Sequence, residues 1–227
     1  MSDLEILAGK LTFLRDFYAL TTKPFQEIKR KIDVREKPYI DHANSEDYDE
    51  PPFLSEWLDA DAGLKLQQQV CLTLLQRSFK EFLDRTIRQH CDYPASGPRK
   101  PKNGESWFDT YKAWFWEGAA IDWDKSPVSL GKMEELSLAR NCVQHGGEKH
   151  GGIGDVLDSH SLLKRQSKNY HERFPNAFFA DELEKRIWED HPQPVTINLT
   201  PEKLNVAIEE ILTFCKFIHD QLPVWMQ

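Results

Sequence analysis

Over most of this chain the apolar residues fall at steps of three and four, the spacing that lines one side of an α-helix. Leu4, Leu7, Leu11, Leu14 and Tyr18 form the first such stripe and predict a helix over 4–20. Thr22 and Pro24 have the character of a cap and a first turn, so a second, shorter helix is expected to carry Phe25, Ile28 and Ile32. Residues 35–54 break the period with Pro38, Pro51 and Pro52 among a run of acids, and read as a solvated loop. Leu66, Val70, Leu74, Phe79, Leu83 and Ile87 then place the longest helix between Ser55 and His90.

A linker rich in Pro and Gly follows at 93–106, with Arg99, Lys100 and Lys102 making it basic. In the next segment Trp107, Tyr111 and Trp114 share a face, while Phe108, Phe115, Trp116 and Trp123 spread around it. Core or dimer interface is the ordinary use of such aromatics, and a base-stacking platform is the sharper alternative. Residues 129–145 give a further helix with Met133, Leu136, Ala139 and Val143 on one stripe, and Gly146 and Gly147 stop it. Residues 146–154 read as a mobile turn, followed by helical stretches near 155–172 and 177–190. Residues 194–199 alternate as a brief strand does, and Thr200-Pro201-Glu202 opens a closing helix carrying Leu204, Ile208, Ile211, Cys215, Ile218 and Leu222. The expected fold is therefore all-α, mainly a helical bundle, with at most a short β-hairpin near 195–199, in one domain spanning 1–227.

Apolar residues at 40% and charged residues at 29% suit a folded globular protein. No stretch approaches the roughly 20 apolar residues of a membrane span, and the first ten residues lack the pattern of a secretion signal, so a cytoplasmic protein is expected. Lys and Arg number 29 against 37 Asp and Glu, a net charge of −8, which argues against coating nucleic acid by bulk electrostatics and leaves room for a local basic groove. Cys71, Cys91, Cys142 and Cys215 contain no C-x-x-C pair and read as reduced, mostly packed thiols.

The segment richest in chemistry is Arg140-Asn141-Cys142-Val143-Gln144-His145-Gly146, at the end of the 129–145 helix. Arg and His separated by four to six residues also occur at Arg35/His42, Arg85/His90, Arg165/His171 and Arg186/His191, so the spacing alone carries little. What distinguishes Arg140 is the Asn that follows it, the apolar Cys142 and Val143 within the gap, the anchoring stripe, and the glycines after His145. Five steps put Arg140 and His145 about 140° apart on an ideal helix. Either unwinding at Gly146 or a second copy of the motif would be needed to bring such groups together.

With these features the chain resembles the HEPN superfamily, whose ribonuclease members carry Arg, a polar residue, a short gap and His. The resemblance extends to the late helix 201–222 with its extended lead-in; residues 35–62 and 148–195 lie outside it, the latter as a family-specific insertion. It implies a homodimer that brings two motifs into one cleft, and a metal-independent endoribonuclease of toxin or defence type with RNA as substrate and an antitoxin or regulatory protein as a further partner. RNA supplies its own nucleophile, the 2′-OH, and internal transfer leaves a cyclic phosphate. In that chemistry His145 moves the proton, since an ordinary imidazole titrates near neutrality. Arg140 holds the non-bridging phosphate oxygens, and Asn141 orients His145 or the phosphate.

No metal or other cofactor is expected, because His145, His150, His160 and His171 follow no zinc spacing and no phosphate-loop or dinucleotide motif appears. Glu134 and Glu135 are expected to pair with Arg140 or to face solvent. The competing readings are a catalytically silent HEPN-like module that binds RNA, a nucleotide or a protein partner, and a plain helical protein in which Arg140, Asn141 and His145 are an ordinary polar helix end.

Overall fold

The computed structural model of the protein describes residues 2–40, 51–90, 107–145 and 198–222. The described chain is all-α, built from α1 (Asp3–Asp33), α2 (Leu54–His90), α3 (Trp107–Ala119), α4 (Leu130–His145) and α5 (Pro201–Gln221), with a 3₁₀ turn at Trp123–Lys125. Among the described residues there is no strand: Asn198 and Leu199 are irregular, while 195–197 lie outside them. The linker 93–106, the turn 146–154, the stretches near 155–172 and 177–190 and the insertion 148–195 also lie outside the described residues.

α1 begins with a capping box, in which the Ser2 hydroxyl accepts from the Glu5 amide and the Glu5 carboxylate accepts from the Ser2 amide. It then continues for 31 residues through Pro24. The expected restart at Thr22 does not occur. Pro24 is exposed, and its missing N–H would have served the carbonyl of Leu20, a residue 73% exposed, so water can take that role. The Thr21 and Thr22 hydroxyls donate back to the Phe17 and Tyr18 carbonyls at 2.8 Å each. Beyond Pro24, contacts with α2 hold the helix straight on: Phe25 lies against Gly63, Lys29 pairs with Asp61 and sits 3.8 Å from the Trp57 ring centroid, and Trp57 Nε1 donates to Asp33 at 3.1 Å.

α1 and α2 are antiparallel, as the pairs Lys10–Glu81 and Lys29–Asp61 show, and theirs is the most extensive helix pairing among the described elements. α5 packs on α1 and α4 packs on α2, while Lys132 on α4 pairs with Glu210 on α5. The buried stripe of α2 is Cys71, Leu72, Leu75, Phe79, Phe82, Leu83 and Ile87. Leu66 and Val70, expected inside, are 47% and 37% exposed. The reason is angular: nine steps of about 100° separate Val70 from Phe79 and carry the chain to the opposite face.

α5 behaves as its pattern requires. Thr200 caps it, its hydroxyl accepting from the Lys203 amide at 3.2 Å, Pro201 occupies the first turn, and Leu204, Ile208, Ile211, Cys215 and Ile218 are buried. Trp123, wholly buried, is the hub of the core: its ring lies 4.9 Å from Phe108, 5.3 Å from Phe115 and 4.9 Å from Phe214, the last edge-on. Aromatic pairs in such geometries add about 0.5–1.5 kcal/mol beyond the area they bury. The Tyr18 hydroxyl donates to the Leu199 carbonyl and so ties α1 to the segment that leads into α5.

Candidate functional site

The aromatic segment divides as core residues do. Phe108, Tyr111, Trp114, Phe115 and Trp123 are all at most 4% exposed, so none offers a face to a base, whereas Trp116 is 58% exposed. Tyr111 donates to Asp84 on α2, and burial, reinforced by that carboxylate, holds its phenol far above the ordinary range.

α4 carries Arg140, Asn141 and His145 within its last six residues. The helix runs through His145, so the backbone there is not unwound, and Arg140 and His145 depart from α4 about 140° apart. The side chains of Asn141 and His145 lie outside the described residues. Met133, Leu136 and Ala139 are buried as expected.

Arg140 follows Leu136 by four residues and Met133 by seven, which puts it on the same buried face and not beside it. Its side chain is half-buried, its Nε is shielded from solvent, and burial lowers its pKa below the usual guanidinium value. It remains a cation, but one partly withdrawn from water. Of the two placements expected for Glu135, the solvent-facing one does not occur. Glu135 is wholly buried, because it precedes Ala139 by four residues and shares the core-directed side of α4. Ser137, also buried, donates to the Met133 carbonyl at 3.2 Å. α4 is thus enclosed over a wide arc, packed on α2 and tied to α5 by the Lys132–Glu210 pair.

A second cluster escaped the sequence reading. Where the start of α1 meets the ends of α2 and α5, Ser2, Asp3, Thr86, Gln89, His90 and His219 line a cleft of about 210 Å³, with Phe82 and Leu222 as its apolar wall. In the sequence His90 stands out only as the partner of Arg85 in a chance spacing, and no local pattern links it to His219. Arg85 Nη1 lies 3.7 Å from Asp3 Oδ1 and Nη2 lies 2.7 Å from Glu81, so the arginine is occupied by carboxylates next to the cleft. Burial lowers the His90 pKa, and His219 pushes the same way while Asp3 opposes both. Among the described residues, no group of three or more His, Cys, Asp or Glu side chains converges to hold a metal ion, and no helix is long and apolar enough to cross a membrane.

Comparison with protein-family models, with characterised proteins and with solved structures finds no match to this chain.

Proposed function

We propose that the protein is a HEPN-type, metal-independent endoribonuclease that acts as a homodimer, with Arg140, Asn141 and His145 at the shared cleft. The observation that carries the reading is the position of Arg140: a guanidinium at the exit of an enclosed helix, its Nε shielded from solvent. A partly desolvated cation stabilises charge developing on a phosphate more strongly than a solvated one, and its place is fixed before the reaction begins. Supporting it are the all-α fold and the buried Met133-Leu136-Ala139 stripe, which holds the motif helix in place. The 140° between Arg140 and His145 makes a second protomer part of the mechanism, because Arg140 of one copy and His145 of the other can then face one phosphodiester. His145 takes the 2′-OH proton or returns one to the leaving oxygen, Arg140 holds the non-bridging oxygens, and Asn141 orients them by hydrogen bonds.

The test is cleavage of several RNAs by the wild type and three variants. His145→Ala is expected to lose about 10²–10⁴-fold in rate. Arg140→Ala is expected to lose about 10²–10³-fold, and Arg140→Lys, which keeps a charge and fills most of the buried volume, separates loss of phosphate binding from loss of folding. Chelator leaves the rate unchanged and products end in cyclic phosphate. Cleavage that survives in the double variant, or that requires a divalent ion, overturns the proposal. A wild type that cleaves none of the RNAs overturns it in favour of a catalytically silent HEPN-like binding module.

A further inference from the structure

We propose that the cleft between α1, α2 and α5 binds a phosphate group, held between the imidazoles of His90 and His219. None of its residues belongs to the α4 motif, so the proposal stands or falls separately from the ribonuclease reading.

Size comes first. The cleft, about 210 Å³, is smaller than the roughly 300–1,000 Å³ of pockets that enclose drug-sized ligands, and so suits a head group with a short attachment. Donors come next. Gln89 offers an amide, and the Ser2 hydroxyl oxygen already accepts from the Glu5 amide, which leaves its proton for a ligand. The start of α1 faces the same space with the positive end of its dipole.

Charge decides between ligand classes. The carboxylate in the cleft wall is Asp3, whose Oδ1 lies 3.7 Å from Arg85 while its buried Oδ2 has no hydrogen-bond partner, and the neighbouring Glu81 is held by Lys10 and Arg85, both at 2.7 Å. The flanking Arg88 and Asp220, of opposite sign, are exposed on α2 and α5. With neutral imidazoles the wall leans negative, since Asp3 Oδ2 is unpartnered and the Glu5 carboxylate accepts from the Ser2 amide beside it, so an anion can enter only with protonated imidazoles. Burial, and the nearness of His219, resist protonation of His90 in the empty cleft. A dianion removes that cost by matching two imidazoliums, whereas a carboxylate ligand would match one. A metal ion is the poorer occupant, since no third ligand converges with the two histidines among the described residues.

The experiment follows the imidazole resonances of ¹⁵N-histidine-labelled full-length protein by NMR across pH 5.5–7.5. Sulfate, whose charge is constant over this range, serves as one probe, and inorganic phosphate and a ribonucleoside 5′-monophosphate as the others. Saturating sulfate is expected to raise the titration midpoints of His90 and His219 together. Its affinity should then tighten about tenfold for each pH unit lowered while one proton is taken up per anion bound. His219→Asn, which keeps a donor and loses the charge, should weaken binding and reduce both its pH dependence and the rise at His90; His90→Asn should do the reciprocal, and helical circular dichroism confirms that each variant folds. Tighter binding of the nucleotide than of phosphate would identify a nucleotide or RNA end as the source, and equal binding the free ion. The proposal is overturned if the midpoints respond to sulfate no more than to sodium chloride of equal ionic strength, if anion affinity rises with pH, or if neither substitution changes binding.

Discussion

Gly63 lies well inside α2, where glycine costs about 1 kcal/mol relative to alanine, and the structure supplies the reason it is there. A Cβ at this position would lie 2.4 Å from Phe25 Cε1 and 2.7 Å from Cδ1 and Cζ, against an ordinary carbon–carbon contact of about 3.5–4.0 Å. The ring would have to retreat by about 1 Å, which moves it off its packing on α2; overpacking of this kind costs about 1–3 kcal/mol. Set against the roughly 1 kcal/mol that alanine gains in helix propensity, Gly63→Ala should be destabilising by about 0–2 kcal/mol. Gly9 in α1 is the internal control, because a Cβ there meets nothing within 4 Å, and Gly9→Ala should stabilise by about 1 kcal/mol. The decisive assay is a double-mutant cycle by urea unfolding at constant m-value. In a Phe25→Ala background the clash is gone, so Gly63→Ala should change sign and stabilise as Gly9→Ala does. If Gly63→Ala stabilises the wild type as much as Gly9→Ala, or if its effect is the same with and without Phe25, then close approach of the helices is not why glycine stands at 63.

Tyr18→Phe removes the donor to the buried Leu199 carbonyl and should cost about 1–3 kcal/mol in urea unfolding, with helical content preserved. In the wild type, burial, with the neighbouring Cys71 next in effect, pushes the Tyr18 phenol up to about 12, so spectrophotometric titration should find it un-ionised where exposed tyrosines have already lost their protons. Burial pushes the Cys71 thiol up to about 11 and the Cys215 thiol well above its usual range. In a Cys91→Ser/Cys142→Ser background, a disulfide reagent at pH 8 should therefore label neither thiol until denaturant is added, and rapid labelling of the folded protein would contradict the packing described for α2 and α5.

The fold was legible wherever a single stripe had no rival. Leu7, Leu11, Leu14 and Tyr18 on α1, and Leu204, Ile208, Ile211, Cys215 and Ile218 on α5, are buried as their spacing predicts, and the exposed Phe13, Leu20 and Val206 fall off those stripes. α2 was harder, because its apolar residues occupy more than one side: Leu66 and Val70 satisfy the step of three or four locally but cannot share a face with Phe79. Pro24 misled for a different reason. A proline signals a helix start only if nothing downstream compels the helix to continue, and here Phe25, Lys29 and Asp33 are compelled by Gly63, Asp61 and Trp57, more than twenty residues away.

The same distinction separates the two candidate sites. The α4 motif could be seen because its residues are neighbours in sequence, and the spacing from Met133, Leu136 and Ala139 already set the direction of Glu135 and Arg140; how deeply they are covered could not be read there, since burial of a charged side chain depends on what other helices bring to it. The His90/His219 cleft was invisible for the converse reason. Each histidine ends a helix whose pattern is otherwise unremarkable, and they meet only because α1 and α2 run antiparallel and α5 packs along α1, so that two C-terminal ends and one N-terminal end reach the same corner. Helix ends collect polar residues for reasons of capping and solvation alone. It is their convergence that turns such residues into a possible binding site, and convergence is a property of packing. Gly63→Ala, whose displaced Phe25 ring lies 23 residues, or roughly 35 Å, along α1 from Ser2, should therefore leave anion binding at the cleft unchanged, whereas a change where Ser2, His90 and His219 meet should not.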